Sequence, residues 1–476
     1  MIEDTKRSTI SWPVIALMDF VTVIGFDDII YNFQNQGLQV VGDWILLLIL
    51  FVVPYELIVG HLGSTFSNEG GGLSSWIRQT SGDRMGYIAA WAYWVVSLPY
   101  LVDVANSTVV ALGWLINGDN SMESKMSNQM FALLTAVIFI IFIFLQHHFS
   151  NSLQVLSILG GGAMFIITIL FVIMTFTYLG RGGQVQSHPF QFTSFIPKFD
   201  MRFLMSLGLL IFAMNGSEFV APYVKEMKNG KRDFPKAMYL LVIMTGFLTI
   251  FGSFALGVFF NAHHLPHDLK MNGSYYAFQA MGHEFGLGKL FLYLFIVTQA
   301  FYMLAQLAVL VDGGARIFLS DTAKHYLPRQ LTKTDKNGLP INGYWLTTFI
   351  CTVILVLSAT LPTMNDIFNQ LLNLNGIISP YVTSLIFWAF IKVRQAPEQF
   401  PSHYVYLKNQ KLALIVGWWC FLLTIMAATF GILPIDAKFG STTWWHMLIL
   451  NIVEPLFMIG LGIILPLIAK HQRRNA

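Results

Sequence analysis

The chain has 476 residues, 55% of them hydrophobic and only 11% charged, where a soluble domain carries about 25% charged residues, so an ordinary water-soluble globular protein is excluded. The mean hydropathy of +0.61 points instead to a polytopic membrane protein. A net charge of +3 says little by its sign, no nucleic-acid partner is expected, and the two cysteines, Cys351 and Cys420, lie in apolar runs as small hydrophobes and not as a disulfide or metal site.

Stretches of about 20 apolar residues, enough to cross about 30 Å of hydrocarbon, recur along the whole chain. Twelve spans are predicted, near 11–33, 43–62, 86–117, 128–147, 153–179, 201–224, 237–261, 289–315, 343–361, 365–391, 412–433 and 443–469. The first follows a short polar Met1–Ser8 and lacks a small-residue cleavage site, so it reads as a retained span.

Span 1 is interrupted at Val23-Ile24-Gly25-Phe26-Asp27-Asp28-Ile29, where a glycine is followed by two acids. Carboxylates at membrane depth cost about 2.5–3.5 kcal/mol each on insertion scales, so they face a cavity, a partner or a substrate. Asp19, two turns before Asp27, is expected near the same passage, while Glu56 in span 2 and Glu454 in span 12 read as structural. The loop after span 2, Ser67 to Trp76, carries three consecutive glycines suited to a tight turn at the inner surface. Span 3 contributes Tyr93, Trp94 and Asp103, the last beside Asn106 and Ser107.

Span 6 repeats the interruption as Met214-Asn215-Gly216-Ser217-Glu218-Phe219, 191 positions after the first glycine. Paired breaks at corresponding places in two halves mark the central binding site of a secondary transporter. The free N–H groups of one half-helix hold a carboxylate and the free carbonyls of the other hold an ammonium. The backbones of Ile24, Gly25, Phe26, Asn215, Gly216 and Ser217 are therefore substrate-binding candidates, with Asp27, Asp28 and Glu218 beside them. Beyond the break, His263, His264 and His267 cluster in an external loop; a solvated loop without cysteine is preferred to a zinc site there. Spans 8 and 10 add the polar cavity candidates Gln299, Gln306, Asn369, Asn373 and Asn375.

With the N-terminus inside, 21 of the 28 Lys and Arg residues fall on the cytoplasmic side and 7, Lys270 among them, outside. That excess places both termini in the cytoplasm and supports the even span count.

Several motifs are familiar. Glu69-Gly70-Gly71, Trp76, Gly82 and Gly86 resemble the signature between helices 2 and 3 of the amino acid–polyamine–organocation superfamily. Glu218 to Met238, ending Arg232-Asp233-Phe234-Pro235, resembles its sixth helix and following loop, most closely in the glutamate/γ-aminobutyrate antiporter family. Gly313 to Pro340, with Arg316, Leu327-Pro328 and Lys336-Asn337-Gly338-Leu339-Pro340, resembles the segment after helix 8.

The resemblance implies an all-α, LeuT-like membrane fold of about 12 helices: a five-plus-five inverted repeat with broken helices 1 and 6, plus two extra helices. Its divisions would be a cytoplasmic tail 1–10, a first repeat 11–180, a second repeat 201–391, spans 11 and 12 over 412–469, and a tail 470–476. It also implies aromatic gates, for which Tyr93, Trp94, Phe219, Tyr302 and Tyr381 are candidates. Asp27 and Asp28 depart from the small residues many superfamily members have at this break. Span 5 contains no lysine and span 8 no Ser/Thr pair, so exchange, or proton coupling through Asp27, Asp28 or Glu218, is favoured over the ion sites of other relatives.

The reading is a secondary amino acid transporter of the cytoplasmic membrane, monomer or homodimer, that exchanges an amino acid for a related one or for its decarboxylated amine. The alternative is a proton-coupled polyamine or amine uptake carrier. No cofactor, no metal and no covalent chemistry are expected, and no motif supports an intramembrane aspartyl protease or a channel. The acids at the break point to a cationic or amine-bearing cargo.

Overall fold

The computed structural model describes residues 10–474 other than 71, 149–151, 335–340 and 436. The first nine residues, Gly71 of the glycine-rich loop and the Lys336–Pro340 part of the third motif therefore fall outside the described residues. Among those described, regular structure is helical throughout, with one isolated bridge between Ile10 and Met227.

Eleven helical stretches are long and apolar enough to cross a membrane. The first, Trp12–Thr65, has 54 residues and contains both spans 1 and 2, because the chain turns back at Gly37, whose φ of 64° favours glycine. The expected division into twelve and the observed eleven differ only at this joint.

Span 1 is two helices, Trp12–Val23 and Phe26–Gln36, separated by Ile24 and Gly25 in extended conformation. Span 6 begins as the helix Met201–Phe212, opens at Ala213–Gly216 and continues only as 3-10 turns, Ser217–Phe219 and Ala221–Glu226. Spans 2 and 7 share a second irregularity, a π turn at Leu48–Val52 in one and at Leu248–Gly252 in the other. Matching irregularities at matching places in the two halves are what an internal repeat produces.

The remaining spans are Asp83–Asn117, Asn128–His148, Ser152–Gly180, Leu290–Leu319, Ile341–Ser358, Met364–Gln395, Gln410–Gly431 and Thr442–Arg474. Span 8 lies against spans 3 and 5, span 7 against spans 1 and 2, and span 10 against spans 3 and 11. Over its most apolar stretch span 6 is 89% buried and span 3 is 83%, whereas spans 11 and 12 fall to 33% and 6% and so form the lipid-facing periphery. The interruptions thus sit at the centre of the bundle.

Two shorter helices lie outside the spans. Leu73–Ser81 follows the glycine turn and buries Leu73, Trp76 and Ile77, while Leu269–Glu284 folds inward between spans 7 and 8 and packs on the second half of span 1. His263, His264 and His267 just ahead of the latter are exposed, as a solvated loop requires, but Lys270, counted among the loop charges, is carried inward and is only 3% exposed.

Candidate functional site

The two breaks touch one another. Gly216 has φ 129°, and a Cβ there would lie 3.1 Å from the carbonyl oxygen of Thr22 in span 1, so conformation and space both require glycine. Gly25 has an ordinary extended backbone and is favoured by crowding, since a Cβ would lie 2.5 Å from Asp27 Oδ1 and 3.2 Å from the Tyr302 ring and would push both aside.

Polar side chains replace the missing helical bonds, as backbone groups away from water require. Tyr302 of span 8 donates to the carbonyl of Ile24 at 2.6 Å, and Asp28 Oδ2 accepts the Gly25 N–H at 2.8 Å. In span 6 the Tyr55 hydroxyl accepts the N–H groups of Gly216 and Ser217, at 2.9 and 3.0 Å, and donates to the Glu218 carboxylate. Asn215 donates to Ser379 and Thr383 of span 10, at 3.1 and 2.8 Å.

A cavity of about 30 Å³ lies at this crossing. Span 1 lines it with Thr22, Val23 and Asp28, span 3 with Tyr93, Ser97 and Tyr100, span 6 with Asn215, Gly216 and Phe219, and span 10 with Asn375 and Ser379. Pro99 and Pro380 stand in the two long helices beside it, and each deprives a carbonyl one turn back, of Val95 and Gly376, of its helical N–H. The volume is well below the roughly 300 Å³ at the small end of ligand pockets, so the cavity must widen to admit a solute.

Two groups of acids flank the cavity. In the first, Lys270 Nζ lies 3.8 Å from Asp27 Oδ2 and 5.8 Å above the Tyr31 ring. Burial pulls the Lys270 ammonium down, but the carboxylates of Asp103, Asp27 and Asp28 outweigh it and hold it above the usual lysine range. In the second, Asp19, Glu56 and Glu218 are each at most 1% exposed. Ser217 Oγ donates to Glu56 Oε1 at 2.7 Å and Thr22 Oγ1 to the Asp19 carbonyl at 2.8 Å, so both nearby hydroxyl protons are spent. Both Asp19 carboxyl oxygens and Glu56 Oε2 have no hydrogen-bond partner among the described residues.

Arg316 of span 8 grips the end of span 6. Its Nη1 lies 2.6 Å from Glu226 Oε1, its Nε 2.7 Å from Asp312, and its guanidinium 4.7 Å above the Tyr223 ring. Tyr223 and Tyr344 both donate to Asp312, the former at 2.5 Å.

Of the residues singled out from sequence, Asp28, Tyr93, Asn215, Gly216 and Phe219 line the cavity, and the Tyr93 and Phe219 rings stand 4.9 Å apart. Ile24, Gly25 and Tyr302 form its hydrogen-bonded rim, and Ser217 and Glu218 lie just behind it. Asp27 and Asp103 belong to the first group of acids. Phe26 packs among Phe171, Phe278 and Phe295, and Gln299 is buried with its carbonyl oxygen unpartnered among the described residues and does not line the cavity. Asn373 accepts from Tyr31 at 2.8 Å and lines a separate cavity between spans 6, 10, 11 and 12. Sequence reasoning missed Tyr55, Tyr100 and Lys270; a tyrosine directly before an intramembrane Glu56 was the available signal for the first.

Two broken helices meeting around a central hollow in an all-helical membrane bundle are the architecture of a secondary solute transporter. The chain matches the amino acid permease family over residues 10–454 and belongs to that family, within the amino acid–polyamine–organocation superfamily. It is 37% identical, over 99% of its own length and 97% of the relative's, to the aspartate/glutamate permease AcaP of Lactococcus lactis subsp. cremoris. It is 26% identical to the probable agmatine/putrescine antiporter AguD of Lactococcus lactis subsp. lactis, covering 84% of this chain and 83% of that one. The fold is similar to that of MhsT in complex with L-phenylalanine, with a TM-score of 0.62 at 13% identity over 88% of this chain and 98% of that one. The protein is therefore a multi-pass membrane transporter of amino acids and not an enzyme.

Proposed function

We propose that the protein carries aspartate or glutamate across the cytoplasmic membrane, both termini inside, by opening the central cavity alternately to either face. The observation that carries this reading is the cavity lining. Its single carboxyl among the described residues, Asp28, already accepts the Gly25 N–H. Thr22, Ser97 and Asn215 donate within the protein, whereas Tyr100 and Ser379 only accept and Asn375 uses one amide proton, which leaves these three able to donate to a second carboxylate. Asp27 faces Lys270 and Glu218 faces Tyr55, so the acids that argued for a cationic cargo are engaged within the protein. The name of the 37%-identical relative supports the same substrate class.

In this reading the substrate's α-carboxylate lies at the free N–H groups that open the second half of span 1, and its ammonium at the carbonyls that close the first half. The side-chain carboxylate is left to Tyr100, Asn375 and Ser379. Lys270 with Asp27 forms the outer closure and Arg316 with Glu226 the inner one. The second group of acids favours proton coupling over obligatory exchange, because Asp19 and Glu56 form no ion pair among the described residues and leave three buried oxygens open to a proton.

Counterflow in proteoliposomes tests the substrate. Labelled aspartate should enter vesicles loaded with aspartate or glutamate and be competed by both. Competition by lysine, agmatine or putrescine in preference to glutamate would overturn the proposal.

A further inference from the structure

The inner surface holds a second and larger hollow, of about 490 Å³, formed where three pieces of chain converge. Ser67 and Asn68 come from the end of span 2, Val224 to Arg232 from the turn joining spans 6 and 7, and His403 from the loop joining spans 10 and 11. Lys225, Lys228, Lys231 and Arg232 all line it, and all four are exposed.

The acids around it are already taken. Glu226 pairs with Arg316, Asp233 with Lys236 at 2.7 Å, and Glu69 with Arg78 at 3.5 Å. None of the four lining cations forms an ion pair among the described residues. The positive-inside bias explains why basic residues lie on this face of the membrane. It does not explain their convergence on one hollow from which every neighbouring carboxylate has been drawn away.

The backbone adds donors. Span 7 opens here at Gly230, packed so closely on the Val224 carbonyl that a Cβ would lie at 2.3 Å. The N–H groups of Gly230 and Lys231 begin this long helix without a backbone partner among the described residues, and they carry the positive end of its dipole. Helix N–H groups together with lysine and arginine are the donor set that phosphate oxygens require.

We propose that this basin binds a phosphate-bearing anion, either a lipid headgroup or a soluble polyphosphate, and thereby biases the transport cycle. The wall of the basin is the base of the moving parts. Ser64 of span 2 donates to the Lys231 carbonyl at 2.7 Å and accepts the Tyr404 N–H at 3.1 Å, and Ile10 at the head of span 1 donates to the Glu226 carbonyl at 3.2 Å. An anion bridging Lys225, Lys231 and Arg232 holds the inner ends of spans 1, 2, 6 and 7 in this arrangement.

Native mass spectrometry of the full-length protein tests this without relying on any transport assay. One arm adds inorganic pyrophosphate to protein in phosphatidylcholine nanodiscs; the other replaces part of that lipid with phosphatidylglycerol. We expect one retained adduct per chain in at least one arm, and which arm responds identifies the source. The paired change Lys228→Gln with Lys231→Gln should weaken binding about tenfold or more, whereas Lys408→Gln with Lys411→Gln, outside the basin, should not. No adduct in either arm, or equal weakening by both pairs, overturns the proposal. Should the first pair fail to fold, wild-type binding that does not weaken between low and high salt overturns it equally.

Discussion

The two ion-paired clusters that flank the central cavity are built differently. At one, a single ammonium, Lys270, stands at 3.8 Å from one carboxylate oxygen and at 5.8 Å from a ring centre. At the other, one guanidinium makes two contacts of 2.6 and 2.7 Å to two acids, and two tyrosines fasten one of those acids in turn. A planar guanidinium fork gives up less freedom for each hydrogen bond than a flexible ammonium stem, and its charge-assisted bonds are shorter. The described conformation is therefore held more firmly at the Arg316 cluster than at the Lys270 cluster.

The largest effect should come from the Arg316 cluster. Arg316→Met removes the guanidinium that Glu226 and Asp312 share; breaking such a pair costs about 3–5 kcal/mol when fully buried, and this partly exposed site should lie at the lower end of that range. Thermal unfolding in detergent measures the loss, and an Arg316→Met protein as stable as the wild type would remove the asymmetry on which the comparison rests. Lys270→Met should cost less, because the broken contact is longer, and the second change Asp27→Asn should restore part of the loss. Additive effects in that double-mutant cycle would mean that the two residues do not act as a latch.

The smallest effect on stability is expected at Asp19. Its carboxyl oxygens have no donor and no cation among the described residues, so the isosteric Asp19→Asn should change stability by less than about 1 kcal/mol. Uptake should respond more sharply, with the dependence on an imposed pH gradient reduced in the variant. Unchanged dependence would separate Asp19 from coupling.

The architecture was legible because a glycine followed by acids inside an apolar run is hard to reconcile with an unbroken lipid-facing helix, and both instances proved to be breaks meeting at the bundle centre. The partners of those acids were harder to read. Tyr55 reaches Glu218 across 163 positions of chain, a relation that helical periodicity within one span does not encode. Lys270 looked like a loop charge because the stretch around it is too polar to be a span, yet the helix Leu269–Glu284 carries it inward to acids contributed by spans 1 and 3. Gly25 and Gly216 looked alike in sequence, and only the backbone shows that one is favoured by crowding and the other demanded by a left-handed φ. The 3-10 continuation of span 6 left no trace in hydropathy, which is insensitive to the number of residues per turn.

The π turn at Leu48–Val52 places one surplus residue in span 2 directly ahead of Tyr55 and Glu56. One residue is worth about 100° of rotation in an α-helix. A chain lacking a single position in that turn would still cross the bilayer, but it would swing the phenol and the carboxyl to another face of the rod. The surplus position thus works as an angular shim, and deleting one residue in this hydrophobic stretch should disturb the site more than any single apolar substitution within it.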